Sequence, residues 1–452
     1  MDTLTAARWQ MALSLAFHMV FAAVGIGLPF MLVIVEAAHL RTGRPHYKRL
    51  AQKWAKVTGL LFAIGAVSGT ALSFELGLLW PRYMKIMGPV VGHLFALEGY
   101  AFFVEAIFIG LYLYGWDKLS PRGHWLCGVV VAISGALSGW FVLGVNAWMQ
   151  VPVGFTRDAA GAVTVTDPRA IFKQAGWVYM AVHSTLSCYI SVGFAVAGVY
   201  AAGWLRGKRD DYHRAAIVTG MAVGGICALA QPLSGDLLAK FVFRTQPAKF
   251  AAMEGQFKTE PRAPLRIGGW PNVEEGRTDL ALEIPGGLSF LAAHDSSAVV
   301  PGLESIPRDR WPNVHLTHAM FQVMVGLGTL LMLLTVWFWW TWWRRRGGGA
   351  LENRWLLRAV LAAAPMGFVA LEAGWMVTEV GRQPWVINGV MLTRDAVTPV
   401  GSVGPMFVGF TLLYVVLAAT TIVLLRALRS DDTDPAPQDV PAATPAMAAV
   451  PS

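Results

Sequence analysis

Long apolar runs separated by short polar turns dominate the chain. An uncharged run from Trp9 to Val35 comes first, and others follow near 55 to 79, 92 to 115, 124 to 147, 178 to 205, 214 to 235, 315 to 343, 356 to 378 and 403 to 425. About 20 residues are enough to carry a helix across roughly 30 Å of hydrocarbon. The pattern therefore predicts an all-α, polytopic bundle of nine membrane-spanning helices. The first run is too long for the apolar region of a signal peptide and lacks a basic leader with a small-residue cleavage site, so it reads as a retained helix. The runs divide the chain into helices 1 to 6 within residues 1–235, a polar connection at 236–312 and helices 7 to 9 within 313–430. Beyond these lies a tail at 431–452, rich in Pro, Ala and Asp, which reads as a disordered extension.

Composition agrees: 55% of residues are hydrophobic and 14% charged. The net charge of +8 raises the question of a polyanionic partner. Distribution answers it, because the short loops after spans 1, 3, 5, 7 and 9 carry nineteen Lys and Arg and those on the other side carry eight. By the positive-inside bias the N-terminus lies outside and the C-terminus inside, and the basic excess needs no nucleic acid to explain it. Cys127, Cys188 and Cys227 sit inside apolar runs without metal-type spacing and read as packing residues. Gly220 and Gly224 on span 6 form a small-xxx-small pair that serves a partner helix or internal packing equally well.

Ionisable groups at depth are costly and point to function. Within the spans the acidic residues are Glu75, Glu98, Glu105, Glu372 and Glu379. Glu98 and Glu105 lie seven residues apart, about two turns on one helical face, and Glu372 and Glu379 repeat the spacing. His18, about three turns into span 1, and His183, about two turns into span 5, read as interhelical hydrogen bonders or as metal ligands. Met324 reads as core filler or as a third ligand. Depth arithmetic at about 1.5 Å per residue puts His18, His183, Met324 and Glu379 in the outer half of the bilayer. Imidazole and thioether in one layer suggest haem iron. A proton-coupled transporter would show the same carboxylate ladders, with broken helices at midplane as its mark, and the sequence has no matched pair of interrupted spans.

Four strings narrow the choice: LEGYAFFVEAIFIGLYLYGWDKLSPRGH at 97–124, NAWMQVPVG at 146–154, FQVMVGLG at 321–328 and GWMVTEVGRQPW at 374–385. They resemble subunit I of the cytochrome bd quinol oxidases, over nearly all nine spans. The resemblance implies a low-spin haem b held by His183 and Met324, and two high-spin groups served by His18 and Glu379: a second haem b, and haem d or a third haem b. It further implies Glu98 as a carboxylate beside the di-haem pair, Arg382 near the haem propionates and Trp375 as an aromatic between haems. The string AKFAAMEGQF in the outer connection matches the family's quinol loop, with Lys249 and Glu254 as the residues of quinol oxidation. A proton route from inside would use Asp117, Asn146, Glu105 and Glu98. Quinol and oxygen are the implied substrates. Subunit II is the implied partner, a small single-helix subunit a further one, and the bacterial inner membrane with its lipid the setting. Two departures stand out. Gln322 replaces an arginine that many members carry two residues before the ligand methionine, and the connection lacks a long insertion, which is similar to the short-loop, cyanide-insensitive subgroup.

Overall fold

Proline and small polar residues decide where the helices begin. Asp2 accepts a hydrogen bond from Thr5 N at 2.8 Å and starts α1 (Thr3–Thr42), and Gly43, left-handed at φ 67°, ends it. Pro45, Pro81 and Pro121 take the first position of α2 (Pro45–Leu79), α3 (Pro81–Tyr114) and α4 (Pro121–Gln150), where an N–H has no helical partner to lose. α5 (Ala175–Leu205) follows, and Asp210 caps α6 (Asp211–Thr245) by accepting from His213 N at 2.8 Å. This computed structural model describes residues 2–159, 163–345, 348–401 and 403–430, so the tail expected at 431–452 lies outside the described residues.

The connection after α6 is built rather than loose. α6 continues well past residue 235, where its apolar run ends, and leads into α7 (Pro247–Glu254). Six short strands then form nested antiparallel pairs: β3 (Glu260–Pro261), β4 (Leu265–Ile267), β5 (Trp270–Asn272), β6 (Arg277–Asp279), β7 (Leu282–Ile284) and β8 (Val299–Val300). β5 pairs with β6 innermost, β4 with β7 around them and β3 with β8 outermost. α8 (Gly287–Ala293) packs among them. A smaller hairpin of β1 (Phe155–Arg157) and β2 (Val163–Val165) joins α4 to α5. We call this side of the bundle the loop end.

α9 (Val314–Arg344) starts the second helical group, capped by Asn313 at Leu316 N. The eighth span, expected as one run, is interrupted. After α10 (Gly349–Glu352), α11 (Arg354–Ala363) stops before Pro365 and α12 (Met366–Val380) resumes behind it, because proline offers no N–H to the preceding turn. β9 (Trp385–Ile387), β10 (Met391–Leu392), α13 (Thr393–Ala396) and α14 (Val403–Ser430) complete the chain. Among the described residues, nine helical segments are long and apolar enough to cross a membrane, α11 and α12 together forming one.

Interior packing relies on close backbone approach. A Cβ at Gly193 of α5 would stand 2.5 Å from Gly224 N and 2.8 Å from Gly220 O, so the small-residue pair on α6 seats an internal neighbour. The three cysteines are free and buried. Large apolar side chains such as Phe103, Ile107 and Val415 are instead exposed, on faces that a bilayer would cover.

Candidate functional site

His18 and His183 are each aimed by a serine on the neighbouring helix. His18 Nδ1 lies 3.0 Å from Ser68 Oγ across α1 and α2, and His183 Nδ1 lies 3.0 Å from Ser234 Oγ across α5 and α6. Both arrangements leave Nε2 facing away from the serine, the geometry by which a second residue fixes a ligating imidazole. The side-chain amide of Gln231 approaches His183 Nε2 at 3.2 Å and would turn aside on ligation. Glycines flank these groups where a side chain would collide. A Cβ at Gly69 would meet His18 Cε1 at 2.8 Å, and one at Gly374 would meet Met324 Sδ at 2.9 Å.

Glu379, on the last turn of α12, is gripped from two sides. Asn146 Nδ2 donates to its Oε1 and Arg382 Nη2 to its Oε2. Arg382 is buried, also donates to Val386 O, and keeps Nε without a partner. A buried guanidinium with a spare donor suits a second carboxylate, such as a haem propionate. Asn146 continues the network through Gln150, whose Nε2 stands 3.3 Å from Asn146 Oδ1 and 3.3 Å from Thr378 O. Gln150 Oε1 in turn accepts from Lys249 Nζ on α7. The structure thus brings four of the expected residues, the buried Lys249, Asn146 and Arg382 and the half-buried Glu379, into one polar chain.

Glu254, at the other end of α7, is buried with Oε2 unpaired. Burial pushes its carboxyl up to about 8, against a downward pull from Arg266. Burial, and then the Arg382 guanidinium, bring the Lys249 ammonium down to about 7, opposed by Glu379. Gln322 supplies the support for this region. Its Oε1 accepts from Gly268 N at 3.0 Å and its Nε2 donates to Arg266 O at 3.1 Å, tying the β4 hairpin to α9.

The carboxylate ladder on α3 is divided in its surroundings. Glu105 is buried against α4, where a Cβ at Gly135 would come within 3.1 Å of its Oε1, and Glu98 is half-buried. Asp117 is exposed in the turn after α3. Trp375 packs beside Ala23, Cys188 and Leu371, between α1 and α5.

Three polar groupings went unread in the sequence. Gln150 stood in a quoted string without a role. Ser68 and Ser234 gave no signal, because serine is common on membrane helices. Glu36, one residue past the first apolar run, accepts from Tyr112 Oη at 2.6 Å and lies 2.7 Å from His124 Nδ1 in a buried cluster.

The model of the cytochrome bd terminal oxidase subunit I family matches residues 6–432. A putative cytochrome bd menaquinol oxidase subunit I of Bacillus subtilis (strain 168) is 37% identical, over 96% of this chain and 98% of its own. The cytochrome bd ubiquinol oxidase subunit 1 of the same organism is 32% identical, over 98% and 97%. The solved bd oxidase from Geobacillus thermodenitrificans superposes with a TM-score of 0.88 at 35% identity, over 95% of this chain and 99% of that one. A match spanning all nine helical spans and the connection with its buried Lys249 and Glu254 makes this chain a member of the cytochrome bd terminal oxidase subunit I family.

Proposed function

We propose that the chain is the haem-bearing subunit of a quinol:oxygen oxidoreductase, which oxidises quinol beside α7 and reduces oxygen to water deeper in the bundle. The observation that carries this reading is the pair of histidines on separate helices, each with Nδ1 held at 3.0 Å by a serine, in a chain that matches bd oxidase subunits over nearly its whole length. Such imidazoles are held ready to ligate.

The donor set fits haem. His183 and Met324 are assigned to a low-spin haem b, and His18 and Glu379 to the two high-spin groups, a haem b and either haem d or a third haem b. Arg382, with its unpaired Nε, is assigned to their propionates. Haem held by two side chains would supply one-electron transfer, and haem held by one would supply oxygen binding. The protein's own part is to place and to protonate. Glu254 accepts a proton from quinol, Lys249 orients the quinol oxygen, and the ammonium is anchored through Gln150. Trp375 fills the space between the helices that carry His18 and His183. Asp117, Glu105 and Glu98 deliver protons from the opposite end of the bundle, along a route that Asn146 lines.

The charge bias of the loops supports placing the loop end outside and the basic turns inside. Protons drawn from the cytoplasm are consumed in forming water while quinol releases its own protons outside, and this separation generates voltage without a pump. The protein is a multi-pass component of the bacterial cytoplasmic membrane, with subunit II as partner and a small single-helix subunit as a further one. The compact nested hairpins of the connection support the short-loop subgroup. A reduced-minus-oxidised absorption spectrum of the purified protein, taken with quinol-driven oxygen uptake, tests the reading. Haem bands and uptake are expected, and a spectrum without haem bands would refute it.

A further inference from the structure

The polar chain from Lys249 to Glu379 has a direction. Lys249 Nζ donates to Gln150 Oε1, Gln150 Nε2 faces Asn146 Oδ1 at 3.3 Å, and Asn146 Nδ2 donates to Glu379 Oε1. Both amide orientations are set by the ends, since a lysine nitrogen presents hydrogens and a carboxylate presents oxygens. Every N–H therefore points toward Glu379, and the two amide dipoles add head to tail between an amine and a carboxyl group. Lys249, Gln150 and Asn146 are all buried, so water screens little of this and each bond polarises the next.

Gln150 is the central link and is fully used. Its amide also faces Thr378 O at 3.3 Å, and its own carbonyl accepts from Asn388 Nδ2 at 3.0 Å, which locks the end of α4 against the segment after α12. Nothing else along this path joins α7 to α12 through side-chain hydrogen bonds among the described residues.

We propose that Gln150 is a positioning residue that couples Lys249 electrostatically to Glu379, so that a change of charge beside the quinol site is felt at the group holding the oxygen-side haem. The inference rests on the reading above, in which Lys249 faces quinol and Glu379 holds a haem. Amides do not pass protons readily along such a chain. The link carries field rather than matter.

A double-mutant cycle in the complete oxidase, with its haems bound, tests it. The haem band lost in Glu379→Ala is identified first, and its midpoint potential is then measured in the wild type, Lys249→Met, Gln150→Leu and the double variant. Lys249→Met is expected to shift that potential in the wild-type background and to shift it far less in the Gln150→Leu background. Gln150→Glu gives a second background of native size, because a carboxylate still accepts from Lys249 and cannot donate to Asn146. An unchanged low-spin band shows that each variant is folded. Equal shifts in all backgrounds would overturn the coupling while leaving the ligand assignment intact. A Glu379→Ala protein with every haem band unchanged would overturn the ligand assignment and the coupling with it.

Discussion

Ser234 on α6 holds its hydroxyl 3.0 Å from Nδ1 of His183 on α5, and the next residue, Gly235, carries no side chain where a Cβ would stand 3.4 Å from the imidazole Cε1. Loss of such an orienting partner typically weakens metal affinity about 10- to 100-fold. Ser234→Ala should therefore lower retention of the low-spin haem by that order, and Ser68→Ala should do the same at His18. Haem-to-protein ratios after dilution measure both, and full retention in either variant would remove the serine from the orienting role.

At the low-spin site, His183→Ala and Met324→Leu should each abolish the corresponding absorption band and quinol oxidation with it. Gly374→Ala gives a subtler version. Its new methyl would stand 2.9 Å from Met324 Sδ, closer than carbon and sulfur tolerate, so the thioether must move. The band should weaken or shift in Gly374→Ala while the high-spin bands stay, and an unaltered band would place Met324 away from the iron.

The loop-end acid gives a pH signature. Glu254 is raised to about 8, so it is mainly protonated below that pH and accepts a proton only above it. Quinol turnover should rise as pH climbs through about 8, and Glu254→Gln should flatten that limb and cut turnover by about 10²-fold, the scale of a lost general base. Oxygen reduction driven by an artificial reductant should stay comparatively intact in Glu254→Gln and in Lys249→Ala. Equal loss with both donors would argue against a quinol-specific role.

Glu105→Gln keeps shape and hydrogen bonding and removes a group that can both take and give a proton. Oxygen uptake should slow, and the haems should stand more reduced during turnover. Gly135→Ala, which would bring a methyl within 3.1 Å of Glu105 Oε1, should slow uptake less and in the same direction. Full activity with oxidised haems in Glu105→Gln would send the proton route elsewhere.

Hydrophobic runs made the nine spans legible because lipid exposure leaves little freedom in composition. The ends were less so. α1 continues through His39 and Arg41 beyond Val35, since backbone hydrogen bonds and basic residues in a last turn extend a helix where apolarity has stopped. The same extension carries Glu36 into a buried cluster that a hydropathy boundary excluded. Pro365 marked the break in the eighth span, but proline is tolerated within α1, α3 and α6, at Pro29, Pro89 and Pro232, so the residue alone did not decide. In the site, titratable residues and thioethers announced themselves by the cost of burying them or by motif. Ser68, Ser234 and Gln150 did not, because their roles consist of whom they touch across helices, and that information exists only once the bundle is assembled.

Gln322 joins the β4 hairpin to α9 just two residues before Met324. A helix is stiff along its axis, rising about 1.5 Å per residue with little give. The hairpin and the thioether are therefore mounted on a single rod. Under the function proposed above, any displacement of the hairpin on quinol binding would reach the assigned ligand Met324 through one glutamine side chain and two residues of helix.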